Sequence, residues 1–185
     1  MWTAKQIEDE FPSLIDRAYL NTAAEGIPPL SSLHALRQYH EDKLLGMDGR
    51  EHLFQTLEEC RNSAADLLNL PSGSISFCAS TSEAYNLLST AIHFPDDGEA
   101  IISNLDFPSG ATPWLCHPDQ PTVRLWQHRN GSLELDDLAL LLSERTQLVQ
   151  LSLVSFLTGY RLEWPSVRDL VREKAPEAVL AVDIT

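Results

Sequence analysis

From residue 75 onward, short apolar runs alternate with segments of helical spacing, and nothing else in the sequence constrains the fold as much. The runs Ile75–Cys78, Ala100–Ile102, Thr122–Trp126, Leu148–Val154 and Ala178–Val182 predict strands. Between them, Ala84, Leu87, Leu88, Ala91 and Ile92 step at i, i+3, i+4, i+7 and i+8, the spacing of one helix face. Thr112–Leu115 predicts a helical turn. Leu135, Leu138, Leu141 and Leu142 mark a helix. Val167, Leu170 and Val171 mark another, after Pro165 at a favourable first-turn position. Several strands are apolar throughout, which a sheet covered on both faces requires. The expectation is an α/β fold: three layers, with a mostly parallel sheet flanked by helices.

The first 70 residues read as helical. Thr3 and Gln6 have the spacing of a capping box for a short helix that ends near Phe11-Pro12. Tyr19-Leu20-Asn21 is extended, and Thr22–Pro29 is a loop punctuated by Gly and Pro. Ser31 or Ser32 can cap a helix that runs to Gly46, a C′ glycine. Leu53, Leu57, Cys60, Ala64 and Leu67 step by four and three and predict a further helix. The predicted organisation is a helical N-terminal arm over 1–70 and an α/β domain over 71–185.

Composition removes whole classes of function. Thirteen Lys and Arg face 27 Asp and Glu, for a net charge of -14, and so acidic a chain repels nucleic-acid backbones and anionic membranes. No apolar run approaches the ~18 residues of a membrane-spanning helix. Met1–Glu10 is polar and acidic, with no apolar signal region. Cys60, Cys78 and Cys116 are odd in number and far apart, which suits reduced thiols and a cytoplasmic setting. The six histidines share no metal-ligand spacing with the cysteines. The sequence has neither a Gly-rich dinucleotide fingerprint nor a Walker loop.

In open α/β sheets, ligands bind beyond the carboxyl ends of the strands, so the residues there are the site candidates. Ser80-Thr81-Ser82 opens a helix after the first predicted strand. A helix start with three hydroxyls either binds an anion or caps itself. Phe107 comes after the second strand, where an aromatic either packs or stacks on a ligand. Asp183 closes the last strand, where a carboxylate either meets a partner or caps the next helix or turn.

These segments, in this order, resemble the fold-type I pyridoxal-phosphate enzymes of the aminotransferase class V group, which includes cysteine desulfurases, kynureninases and isopenicillin N epimerase-like proteins. Tyr19–Gly26 is similar to the group's N-terminal Tyr-Leu-Asn/Asp-x-Ala-Ala segment near the active site. Ser80–Leu87 is similar to the helix start that holds the cofactor phosphate. Asp106-Phe107-Pro108-Ser109, with Pro113-Trp114, resembles the segment whose ring stacks on the pyridine. Ser155–Gly159 resembles the Thr-Gly stretch before the next helix. Val179–Asp183 is similar to the strand whose Asp meets the pyridine nitrogen. The resemblance thus implies the large domain of a pyridoxal-phosphate-dependent transferase fold. It also implies pyridoxal 5'-phosphate as cofactor and Thr81, Ser82, Phe107 and Asp183 as its binding residues. The substrate would be an amino acid as a small molecule, undergoing transamination, desulfuration, lyase or epimerase chemistry, and the full-length protein a homodimer.

The sequence also departs from the group. Ala79-Ser80 replaces the usual glycine, and Phe156 stands where many members have Asn or Ser. The catalytic Lys of the group lies tens of residues beyond the Asp. The three lysines here, Lys5, Lys43 and Lys174, have no such context. The sequence therefore reads as the N-terminal portion of such an enzyme, incomplete at the C-terminus and inactive as a stretch on its own. The alternatives are a catalytically inactive scaffold or dimerisation domain, and an α/β domain for another phosphorylated ligand.

Overall fold

The computed structural model describes residues 2–185, and among them is one sheet of four parallel strands. These are β1 (Glu99–Ser103), β2 (Thr122–Trp126), β3 (Thr146–Ser152) and β4 (Val179–Asp183), in the spatial order β2-β1-β3-β4. The chain divides between Phe77 and Cys78 into two compact units, and the sheet lies in the second.

In the second unit, strand alternation sorts the side chains into two cores. Ala100, Ile102, Leu148 and Ala181 pack on one face with Tyr85 of α4 (Thr81–Ala91) and Trp114 of α5 (Pro108–Leu115). Ile101, Val149 and Leu151 pack on the other with Leu138 of α6 (Leu135–Leu141) and with Val167 and Val171 of α7 (Trp164–Lys174). The layers are therefore helix, sheet, helix, as the run of apolar strands predicts.

The helix starts obey local chemistry. Ser80 Oγ accepts from the Glu83 amide at 3.2 Å and caps α4. Pro108 sits in the first turn of α5. Glu163 accepts from the Ser166 amide at 3.0 Å and caps α7, with Pro165 in its first turn.

The sheet order creates a switch point. From β1 the chain crosses by α5 to β2 on one side, and from β3 it crosses by α7 to β4 on the other. A single crossover hand requires those helices to lie on opposite faces, and they do. The crevice between β1 and β3, at their carboxyl ends, is where such sheets bind ligands.

The first unit contains α1 (Ala4–Glu10), α2 (Leu30–Leu44) and α3 (Arg50–Leu68). The Thr3–Gln6 capping box forms as read from the sequence. Gly46 adopts φ +61 just past the end of α2, which suits its predicted C′ role. Pro29, not Ser31 or Ser32, occupies the N-cap of α2. The Ser31 amide is instead satisfied by the Glu10 carboxylate at 3.0 Å. Asp42, buried on α2, accepts from Gln38 Nε2 at 3.0 Å and lies 2.7 Å from His52 Nδ1 on α3.

One predicted strand does not form. Ile75 is extended, at φ −103 and ψ 128, but 75–78 joins no ladder among the described residues. The Ile75 carbonyl accepts from Arg61 Nη1 at 3.2 Å instead. Apolar residues make a segment extended, whereas a strand also needs a neighbour to pair with.

Candidate functional site

The β1–β3 ladder stops short of both strand ends. Its register pairs Glu99 with Thr146, Ala100 with Leu148 and Ile101 with Val149, and goes no further. The outer ladders continue to Ser103–Trp126 and to Ser152–Asp183. The two central strands thus part at their carboxyl ends, and the fork lies at the switch point.

The Asp106 carboxylate fills this fork. Oδ2 accepts from the Ser103 amide at 2.7 Å and Oδ1 from the Ser152 amide at 2.6 Å. These are amides near the strand ends where the ladder has lapsed. Asp106 is only 8% exposed. Burial raises its carboxyl above the ordinary carboxylate value, against the pull of the two amides. Each amide hydrogen bond to the charged form contributes roughly 1.5–3 kcal/mol.

Gln150, buried in the middle of β3, is the third partner. With its amide turned to suit its neighbours, the nitrogen donates to Asp106 Oδ2 and to the Gly110 carbonyl, both at 3.2 Å. The other side of that amide lies 3.4 Å from the Tyr85 hydroxyl. A side chain at Gly110 would meet the Gln150 amide at 2.5 Å, so glycine lets α5 pass this close. Burial pushes the Tyr85 hydroxyl up to about 12, and the Asp183 and Asp106 charges add to the rise. The phenol therefore stays protonated, within electrostatic reach of both carboxylates.

All four residues singled out from the sequence stand at this carboxyl edge. Asp183 ends β4 beside Ser152. It shares the parity of Ala181, so its side chain lies on the α4–α5 face. Its Oδ1 accepts from the Thr185 amide at 2.9 Å and from Thr185 Oγ1 at 2.6 Å, while Oδ2 has no hydrogen bond among the described residues. Phe107 immediately precedes α5 and is 48% exposed. Its ring meets that of Phe156, 59% exposed, edge to face with centroids 5.0 Å apart. Ser155 pins the second loop, its Oγ accepting from the amides of Leu157 and Thr158.

Thr81 and Ser82 open α4, and Thr81 lies one turn before Tyr85 on the same helix face. Both are exposed, and neither hydroxyl has a hydrogen bond among the described residues. The capping task that the sequence left open for them falls to Ser80. The carboxylate at this helix start, Glu83, is engaged by the Ala79 amide at 2.6 Å.

This donor set fits a phosphorylated, flat, nitrogen-bearing ring. Two unengaged hydroxyls at the start of an 11-residue helix suit a phosphate. A half-exposed aromatic face suits a planar ring. A carboxylate oxygen without a partner suits a protonated ring nitrogen.

Asp106, Gln150, Tyr85 and Gly110 were not singled out from the sequence. A lone Gln within the otherwise apolar Leu148–Leu151 run was the signal for one of them, because a buried amide demands partners.

Residues 18–185 match the family model for aminotransferase class-V. The aminotransferase-like protein FGM3 of Gibberella zeae is 26% identical, over 98% of this chain and 48% of its own length. A cysteine desulfurase of Yersinia pseudotuberculosis is 27% identical, over 89% of this chain and 43% of its own. The chain spans about half the length of these curated relatives. The same fold is seen in the cystine C–S lyase C-DES, solved with cysteine persulfide, at TM-score 0.84 and 19% identity over 95% of this chain and 49% of that one. It is also seen in the cysteine desulfurase CsdA of Escherichia coli, at TM-score 0.82 and 21% identity over 98% and 48%.

Proposed function

The chain belongs to the aminotransferase class-V family, and from that premise we propose that it forms the cofactor-binding part of a pyridoxal-phosphate-dependent enzyme acting on an amino acid. Pyridoxal phosphate is the cofactor of this family. When bound it supplies an electron sink for bonds broken at the substrate's α-carbon.

The chain's own residues divide the binding. The hydroxyls of Thr81 and Ser82 and the first amides of α4 hold the phosphate. Phe107 gives the ring a face to lie on. Asp183 Oδ2, without a hydrogen bond among the described residues, keeps a proton on the ring nitrogen. The observation that supports this most is the fork between β1 and β3. Phe107 borders it, and Tyr85, one turn below Thr81, lies within electrostatic reach of Asp183.

Among transamination, desulfuration, lyase and epimerase chemistry, the cysteine desulfurases among the relatives favour breaking a C–S bond of an amino acid. The full-length protein is then a homodimer in the cytoplasm, where the exposed Cys60, Cys78 and Cys116 stay reduced.

A second reading, that these 185 residues give no turnover on their own, has one observation in its favour. Lys174, the only lysine of the second unit, ends α7. A crossover helix runs antiparallel to its strands, so Lys174 lies at the edge opposite the site.

Titrating pyridoxal 5'-phosphate into the wild type and into Asp183→Asn and Phe107→Ala tests the site. Saturable binding in the wild type, weakened in both variants, is expected. Equal affinity in all three proteins would remove the assignment.

A further inference from the structure

We infer that Asp106 is a positioning residue: by bridging the parted ends of β1 and β3 it fixes Phe107, the next residue in the chain, where a cofactor ring lies against it. The inference rests on the cofactor site proposed above and adds a residue to it that binds nothing itself.

Beyond Ile101 and Val149 the two strands no longer pair, although both continue. A parallel pair that parts leaves backbone amides to satisfy, and an unsatisfied buried amide is costly. The amides of Ser103 and Ser152 both donate to one carboxylate, one to each oxygen. Asp106 therefore spans the fork at a width set by its own two oxygens. A neutral side chain of the same shape cannot do this, since Asn offers one acceptor and turns a donor toward the other amide.

The brace is also held from the α4–α5 side. The Gln150 amide donates to Asp106 Oδ2 at 3.2 Å, and the opposite side of that amide faces the Tyr85 hydroxyl at 3.4 Å. Tyr85 belongs to the helix whose start carries Thr81 and Ser82. One buried chain of polar groups thus joins the helix proposed to hold the phosphate to the residue beside the stacking ring. Among the described residues Phe107 has no comparable anchor of its own. Its ring is half-exposed and packs edge to face on Phe156, itself more than half-exposed. Its backbone is set by Asp106 on one side and by the first turn of α5 on the other.

The test uses the full chain and pyridoxine 5'-phosphate, which lacks the aldehyde and so binds without a lysine. A ring stacked on Phe107 shows upfield ring-current shifts of its C6 proton and 2-methyl group. The phosphorus signal reports separately on the phosphate at α4. In the wild type both signals should move on binding, and Phe107→Ala should abolish the ring-current shifts alone. Asp106→Asn should also lose them at saturating ligand while the phosphorus signal still moves. A role in stability alone would weaken folding and leave the shifts of the saturated complex intact. Gln150→Leu, which keeps β3 apolar and removes the third donor, should reduce the shifts and serves where Asp106→Asn does not fold. Undiminished ring-current shifts in whichever of these variants folds would overturn the inference. Absence of the shifts in the wild type would instead overturn the cofactor site on which it rests.

Discussion

At the residue scale, the start of α4 separates two tasks that the sequence merges. Ser80 caps the helix through its bond from Glu83, so Ser80→Ala should cost about 1 kcal/mol of stability. The hydroxyls of Thr81 and Ser82 have no hydrogen bond among the described residues, so replacing both with Ala should leave stability within about 0.5 kcal/mol. The same double variant should lose at least about tenfold in pyridoxal-phosphate affinity, because a hydrogen bond to a charged group is worth roughly 1.5–3 kcal/mol. Calorimetric titration beside urea unfolding checks both halves, and a stability loss without an affinity loss would return these hydroxyls to a structural role. Asp106 has the opposite character. Its folded pKa is raised by burial above the unfolded value, so folding favours the protonated form. Its contribution to stability is complete below the unfolded value and is lost as pH rises through the raised folded value. The stability of the wild type relative to Asp106→Asn, which does not titrate, should therefore grow as pH falls into the carboxylate range. Urea unfolding of both proteins from neutral to acid pH measures this, and a constant difference would refute it. Burial thus works against the charged form that the two amides favour.

At the element scale, the limits of sequence reading have physical causes. The spacing of Leu53, Leu57, Cys60, Ala64 and Leu67 correctly gives a helix, and α3 extends beyond it at both ends. The same spacing says nothing of burial: Leu57 and Leu67 are both exposed. Strands Thr122–Trp126 and Ala100–Ile102 were legible because apolar runs bounded by polar turns have few alternatives. The strand read at 75–78 failed because pairing is non-local and no local pattern reports it. The site divides in the same way. Phe107 and Asp183 can be read as candidates from where strands end, and Thr81 and Ser82 from where a helix begins. Asp106 and Gln150 matter only once two distant strand ends are known to part. Close packing between elements is likewise invisible beforehand, and Gly49 shows it. A methyl group there would collide with the Asp42 carbonyl oxygen on α2. Gly49→Ala should therefore destabilise the first unit by about 1–3 kcal/mol through overpacking. Thermal unfolding measures it, and an unchanged midpoint would mean that the α2–α3 connection yields more easily than its geometry indicates.

At the scale of the whole molecule, the sheet aims its chemistry one way. Every strand is parallel, so all four carboxyl ends share an edge, and the crossover helices carry their own C-terminal ends to the opposite edge. This decides where an amine can act. Lys174 is in the last turn of α7, on the edge away from Phe107 and Asp183. Moving it to the cofactor would mean unwinding a helix whose Val167 and Val171 are buried in the core. Lys5 and Lys43 belong to the first unit, Lys5 exposed in an ion pair with Asp9 at 3.3 Å and Lys43 in the last turn of α2. The expected outcome is that this 185-residue chain binds pyridoxal phosphate without giving it a lysine and turns over no amino acid. Mixing the two, reducing with borohydride and mapping the peptides checks this. Sparse labelling spread over several amines fits the geometry, because the three lysines are exposed to the reagent and Lys174 stands at the opposite edge of the sheet. A single stoichiometric adduct on Lys5, Lys43 or Lys174, together with turnover of an amino acid, would overturn this expectation, and on Lys174 it would mean that the catalytic amine comes from the edge that this fold directs away from the site.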